Sequence, residues 1–245
     1  MEAGAHKHAI TTAIHSHPGI SQIFYTSLAF GGASTPNSVA HVMRAHLATE
    51  SFLKSLTTSP SSSTPPKRIQ LTFTAIREGI YSESFPMYTG FFSLTSPQQE
   101  VKLSQHDGSG PGIAWAKIDE LGEATARLVN DYVEFPDGFE YENQVVLLSG
   151  PREWSIADTL KVAGKAVGKE VRINMVGIEE YVNEPIVREM LGEHGPGDVP
   201  RQWATAFEAV REGETAAVSG ELERLLGRKP EGFEVTVRAM AKAKD

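Results

Sequence analysis

Eight histidines, six tyrosines and no cysteine bound the chemistry open to this 245-residue chain. Without cysteine there is no disulfide scaffold, no Cys-ligated zinc, no iron–sulfur cluster and no thiolate nucleophile. His6, His8, His15 and His17 lie on or beside one opening helical segment. A metal site there would want further His or carboxylate ligands at i+3 or i+4 and a second shell, so these four read as solvent-exposed. His106 and His194 fall in Gly/Pro turns and read as loop residues. His46 differs: it lies inside a long helical segment and faces the same way as Val42 and Phe52. Thr26 and Ser27 end a strand-like run, where their hydroxyls can either cap loose backbone groups or meet a ligand. Arg77-Glu78 end the next run and read as an ion pair supporting a loop. Met87-Tyr88 and Phe91-Phe92 read as core or as the wall of an apolar pocket.

Several motifs are missing from the sequence. No G-x-G-x-x-G, G-x-x-G-x-x-G or G-x-x-x-x-G-K-S/T occurs, so no phosphate cradle is visible. There is no G-x-S-x-G nucleophile elbow. None of the six tyrosines has a lysine four residues later, which excludes the Tyr–Lys proton-transfer pair of typical short-chain dehydrogenases. The net charge of −8, from 23 basic and 31 acidic side chains, disfavours a nucleic-acid partner. The basic clusters Lys67-Arg68 and Lys242/Lys244 are too small to form a groove for one. No apolar run approaches the ~20 residues of a membrane helix. Residues Met1 to Ile14 lack the pattern of a signal peptide, so a cytoplasmic location is expected.

The elements that must position these residues are readable from periodicity. Ala5, Ala9, Ile10, Ala13 and Ile14 recur at helical spacing, and the helix stops at His17-Pro18-Gly19. Gln22 to Ala29 is a β-branched and aromatic run that suits a strand buried on both faces of a parallel sheet, punctuated by Gly31-Gly32. A helix is expected from about Ser38 to Leu56, with Val39, Val42, Met43, Leu47, Phe52 and Leu53 on one side. Thr57 to Pro66, with three Pro and seven Ser or Thr, reads as a solvated loop. Leu71 to Ile76 and Gln144 to Ser149 read as buried strands, and Glu100 to Leu103 and Val171 to Val176 as shorter ones. Asp119 is the expected N-cap of a helix through Val129. Ser155-Ile156-Ala157-Asp158 is a capping-box variant that opens another. The chain from Ile178 is mostly helical and acidic, with a break at Gly195-Pro196-Gly197. This alternation predicts an α/β fold with a parallel sheet, right-handed crossovers and a smaller helical lobe. Ligands of such sheets bind beyond the carboxyl ends of the strands, which directs attention to Thr26–Phe30 and Arg77–Glu83.

At those ends the chain resembles the NmrA-like family of atypical short-chain dehydrogenases, which includes NADPH:quinone oxidoreductases and fungal nitrogen-regulation proteins. The resemblance is carried by Phe24-Tyr25-Thr26-Ser27-Leu28-Ala29, Ala45-His46-Leu47-Ala48-Thr49-Glu50 and Phe73 through Glu83. His106-Asp107-Gly108, Lys117-Ile118-Asp119-Glu120, Leu147-Leu148-Ser149-Gly150 and Trp154-Ser155 continue it in order, over about residues 5 to 230. It implies an incomplete NAD(P)-binding Rossmann-type domain over residues 1–150, with a loop insertion at 57–68 and with 84–112 contributing to the substrate lobe. Residues 151–245 would form the smaller, mostly helical lobe. The match starts partway through the family's fold. At ~30 residues per βα unit, roughly a hundred residues bearing the Gly-rich turn precede it in relatives, so this chain is expected to bind NADP or NAD weakly or not at all.

The resemblance also implies site roles. His46 falls where many relatives place the lysine that touches the nicotinamide ribose, and His46 or Tyr81 would supply a proton. Thr26, Ser27 and Leu28 would border the nicotinamide from one strand end, and Gly79, Ile80 and Tyr81 from the next. Phe85, Tyr88 and Phe91 would wall the substrate pocket beside Tyr81. The family's frequent Asn after Ser-Glu is Ser84 here. The implied function is an NAD(P)H-dependent oxidoreductase acting on a quinone or carbonyl. The alternative is a non-catalytic, dinucleotide-sensing regulator that binds a protein partner.

Overall fold

Runs of apolar and β-branched residues lose least when both neighbours are strands, and three of them pair into one parallel sheet in the computed structural model. It describes residues 3–32, 35–58, 71–192 and 198–243. The strands are β1 (Gln22–Leu28), β2 (Thr72–Glu78), β3 (Glu100–Ser104), β4 (Gln144–Leu148) and β5 (Arg172–Val176). The main sheet has the order β1-β2-β4, and β3 pairs with β5 in a second, two-stranded parallel sheet. The helices are α1 (Ala3–Ser16), α2 (Met43–Thr58), α3 (Phe85–Tyr88), α4 (Ile118–Glu134), α5 (Ile156–Ala166), α6 (Ile178–Val182), α7 (Pro185–Leu191), α8 (Val199–Arg211), α9 (Glu221–Leu226) and α10 (Phe233–Lys242). None is long and apolar enough to cross a membrane.

Strand alternation divides the packing of the main sheet between its two faces. Phe73 and Ala75 turn toward Leu53 of α2 and Ile10 of α1. Ile76, Val146 and Leu148 turn the other way, onto Leu121, Ala124 and Leu128 of α4 and Leu222 and Leu225 of α9. A larger aromatic core, including Phe85, Trp115, Trp154, Phe207 and Phe233, lies under the second sheet and the C-terminal helices.

β2 is central and buried, but β1 is not the doubly buried strand its composition predicts. Among the described residues its one neighbour in the sheet is β2; Thr26 is exposed and, of the strand, only Ser27 is fully buried. Other boundaries moved for long-range reasons. α2 opens at Met43 rather than Ser38, because the preceding backbone is held elsewhere. The Ser38 hydroxyl and the Val39 N–H (2.8 Å) donate to the Glu214 carboxylate, and the His41 N–H donates to Thr205 Oγ1 at 2.8 Å. Val42 is consequently exposed. Residues 57 and 58 belong to the last turn of α2; 59–68, His194, Gly195-Pro196-Gly197 and Lys244 lie outside the described residues. Asp119 is not the N-cap of α4 but sits in its first turn, while Glu83 accepts the Ile118 N–H at 3.2 Å. Ser155 does cap α5, accepting the Asp158 N–H at 3.0 Å.

Candidate functional site

Register places the carboxyl ends of the strands side by side, with Leu28 opposite Glu78 and Glu78 opposite Leu148. The chain leaving β2 is braced on both sides. The Gly79 N–H donates to the Leu148 carbonyl at 2.7 Å, the Ala116 N–H to Ile80 O at 2.9 Å, and the Ser82 N–H to Ala116 O at 2.8 Å. A Cβ at Gly79 would stand 2.6 Å from Leu148 O and 3.0 Å from the Ala116 Cβ. Protein packing therefore requires this glycine, which the family resemblance had placed beside the nicotinamide. Tyr81 follows and donates its hydroxyl proton to Glu78 Oε2 at 2.6 Å. Burial, then this hydrogen bond and the Glu78 charge, push the Tyr81 phenol up to about 12. It stays protonated at neutral pH. Next to it, the buried Ser82 Oγ has no hydrogen-bond partner among the described residues.

Arg77 does not pair with Glu78, since adjacent strand residues point to opposite faces. Its guanidinium, 1% exposed, turns to Glu50 of α2, with Nη2 2.7 Å from Oε2 and Nε 3.1 Å from Oε1. Its other N–H groups donate to the carbonyls of Gly31 (3.4 Å), Gly32 (3.2 Å) and Thr35 (2.9 Å). Ser27 is committed to the same cluster, donating to Glu50 Oε1 at 2.6 Å. The loop leaving β1 is thus fastened by a charge on the neighbouring strand. It is also tied to the C-terminal half of the chain, where the Gly32 N–H donates to Glu214 O at 2.8 Å.

His46 packs on the α1–α2 face of the sheet. Its Nδ1 lies 3.0 Å from the Tyr25 hydroxyl, which in turn lies 3.3 Å from His6 Nδ1. His6 is half-buried and also reaches Thr49 Oγ1 at 3.1 Å, so it is not the solvent-exposed residue the sequence suggested; His8, His15 and His17 are exposed. Burial, then the charge of His6, holds the His46 imidazole below the usual histidine range. Tyr81 and Glu78 project to the α4 face, so the structure does not bring His46 and Tyr81 together. Of the other expected residues, Thr26 is exposed, Leu28 is half-buried, and Gly79 and Ile80 are buried.

Phe85, Tyr88 and Phe91 are 0%, 6% and 4% exposed and belong to the aromatic core. Phe85 meets Phe233 edge-on, while Tyr88 contacts Phe30, Trp115 and Trp203. Burial pushes the Tyr88 phenol up. His106 does lie in a loop, after β3, but it is not in solvent. It is buried, its Nδ1 accepts the Gly108 N–H at 2.9 Å, and burial, then the Arg211 charge, lowers its pKa. No cluster of three or more His, Cys, Asp or Glu able to hold a metal occurs among the described residues.

Sequence reasoning assigned no role to Glu50 or Glu214. For Glu50 a signal was present: a carboxylate at i+4 from His46 and three residues before Leu53 lies on the apolar side of its helix, where a charge needs a partner. Glu214 carried no local signal, because its partners Ser38 and Val39 are far away in sequence.

A three-stranded parallel sheet with helices on both faces and loops gathered at its carboxyl ends is a Rossmann-type α/β architecture. No family model matches the chain. It is 30% identical over 211 residues to the NmrA-like family domain-containing oxidoreductase flvB of Aspergillus flavus, a match covering 86% of this chain and 59% of that protein. The NADPH-dependent quinone oxidoreductase QOR2 of Escherichia coli, solved in complex with NADPH, has the same fold, with a TM-score of 0.70 and 20% identity over 97% of this chain and 71% of that one. NmrA, a negative transcriptional regulator solved with NAD, aligns with a TM-score of 0.63 and 13% identity over 99% and 70% of the two chains. The chain is similar to an NmrA-like family oxidoreductase in sequence and shares the fold of QOR2 and NmrA. It spans 59% of the length of flvB.

Proposed function

We propose that this protein is an NAD(P)H-dependent oxidoreductase that acts on a small quinone or carbonyl at the carboxyl ends of β1 and β2. The relative at 30% identity is described as an oxidoreductase, and this carries the reading. The regulator alternative has less support, because the likeness to NmrA, at 13% identity, is one of fold alone. A bound reduced nicotinamide would supply the hydride. Thr26, Leu28, Gly79 and Ile80, with the backbone of Ser27, would hold its nicotinamide end. The exposed Thr26 and the unpartnered Ser82 hydroxyl fit a polar ring substituent there. Tyr81 keeps its proton through neutral pH, and its hydroxyl would turn from Glu78 to donate that proton to the substrate oxygen. His46, bonded to Tyr25, acts in this reading by fixing α2 against β1. We further propose a division near residue 150, with the second lobe lining the substrate side and Phe85, Tyr88 and Phe91 forming the layer behind it, and a cytoplasmic location.

No G-x-G-x-x-G occurs among the 22 glycines, and that turn is what presents backbone N–H groups to a pyrophosphate. Affinity of this chain for NADPH is therefore expected to be weaker than micromolar. The test combines saturation-transfer NMR at millimolar NADPH with NADPH consumption on a quinone panel. Transfer stronger to nicotinamide than to adenine protons, and turnover lost in Tyr81→Phe, is the expected result. No transfer and no turnover with either NADPH or NADH would overturn the reading.

A further inference from the structure

Residues of α5 and α10, with Leu94, Pro97, Arg152 and Trp154, line an open cavity of about 1000 Å³. Its inner wall is apolar, with Leu94 and Trp154 beside Val162, Ala166 and Val167. Its other lining is cationic: Arg152, Lys165, Arg238 and Lys242 against a single carboxylate, Glu234. The chain as a whole carries a net charge of −8, so this is a local reversal of sign. None of the four cations is in an ion pair among the described residues. Glu234 offsets at most one of the four charges, and its buried Oε2 has no hydrogen-bond partner among the described residues, so the lining keeps an excess of positive charge. The Arg152 guanidinium stacks over the Trp154 ring, 3.4 Å from its centre, which sets a fixed charge directly above an apolar surface.

Uncompensated like charges around a concavity raise the local concentration of anions. The apolar wall adds a favourable term for any ligand that also carries hydrocarbon. The volume is that of a site for a molecule of modest size, well beyond a single inorganic ion. We infer that this cavity binds an organic anion with an apolar body, its head group among Lys165, Arg238 and Lys242 and its body against Trp154 and Val167. The lining shares no residue with the proposed redox centre, and the inference does not depend on that centre. A carboxylate and a phosphate ester share this chemistry.

Decanoate and decyl phosphate are the probes, with decanol and acetate as controls, read by calorimetry and by tryptophan fluorescence on the full chain. Binding of either anion, at least tenfold tighter than decanol or acetate, is expected, and the tighter of the two identifies the head group. The exposed triple variant Lys165→Gln/Arg238→Gln/Lys242→Gln should weaken anion binding by roughly tenfold, at about twofold per exposed charge. Ala241→Trp, which narrows the cavity without changing charge, should weaken binding of the tighter anion at least tenfold. The inference is overturned if neither anion binds, if decanol binds as well as they do, or if both variants bind unchanged.

Discussion

Glu50→Gln isolates the interaction that fastens the β1 loop. The substitution keeps size and shape but removes the one charge opposing the Arg77 guanidinium, which is 1% exposed. The amide can accept from only one of the two guanidinium nitrogens now held at 2.7 and 3.1 Å, and it turns a donor toward the other. Removing one partner of a buried pair costs about 3–5 kcal/mol, most of it for the charge left behind. At roughly 2–4 °C per kcal/mol for a chain of this size, the melting temperature should fall by about 10 °C. Urea unfolding followed by circular dichroism measures the change directly. Arg77→Met should cost a similar amount, because it also strips donors from Gly31, Gly32 and Thr35. The double variant should lose clearly less than the sum of the two, since no unpaired charge remains. Limited proteolysis should cut the 29–42 segment faster in all three. An unfolding free energy within 1 kcal/mol of the parent for Glu50→Gln, or strict additivity, would refute the buried-pair argument.

Three further outcomes are expected. Burial holds His46 and His106 below the ordinary histidine value of about 6.5, so the unfolded chain binds more protons than the folded one as pH falls below that value. Stability should therefore be full above about pH 6.5 and decline on acidification; a urea midpoint flat from pH 7 to 5 would contradict this. Glu78→Gln should bring the Tyr81 phenol part of the way down from about 12, leaving the effect of burial, and ultraviolet titration against Tyr81→Phe would show no difference if the bond to Glu78 is not made. Among the described residues β1 has no second neighbour in its sheet, and it carries no charge or proline, so the chain should self-associate at high concentration. Thr26→Lys, at an exposed edge position, should suppress that in size-exclusion chromatography, whereas a parent that elutes as a monomer at every concentration would rule out an adhesive edge.

Local chemistry was sufficient where an element's cause lies within a few residues of it. The apolar runs at β2 and β4 and the alternation at β5 marked their strands, and Ser155 with Asp158 marked the start of α5. The ordered segments around Thr26, His46 and Gly79–Glu83 were enough to indicate the family. Tertiary structure decided everything whose cause is distant in the chain. Glu214 delays the start of α2, Glu83 supplies the cap that Asp119 was expected to provide, and Glu50, not Glu78, receives Arg77. It also set which face each candidate occupies: alternation sends Arg77 toward α2 and Glu78 with Tyr81 toward α4, so His46 and Tyr81 end on opposite sides of one sheet. The physical reason is range. Periodicity and capping act over one or two turns, whereas a buried charge takes whichever opposite charge the crossover connections bring within about 3 Å, and no local pattern encodes that neighbour.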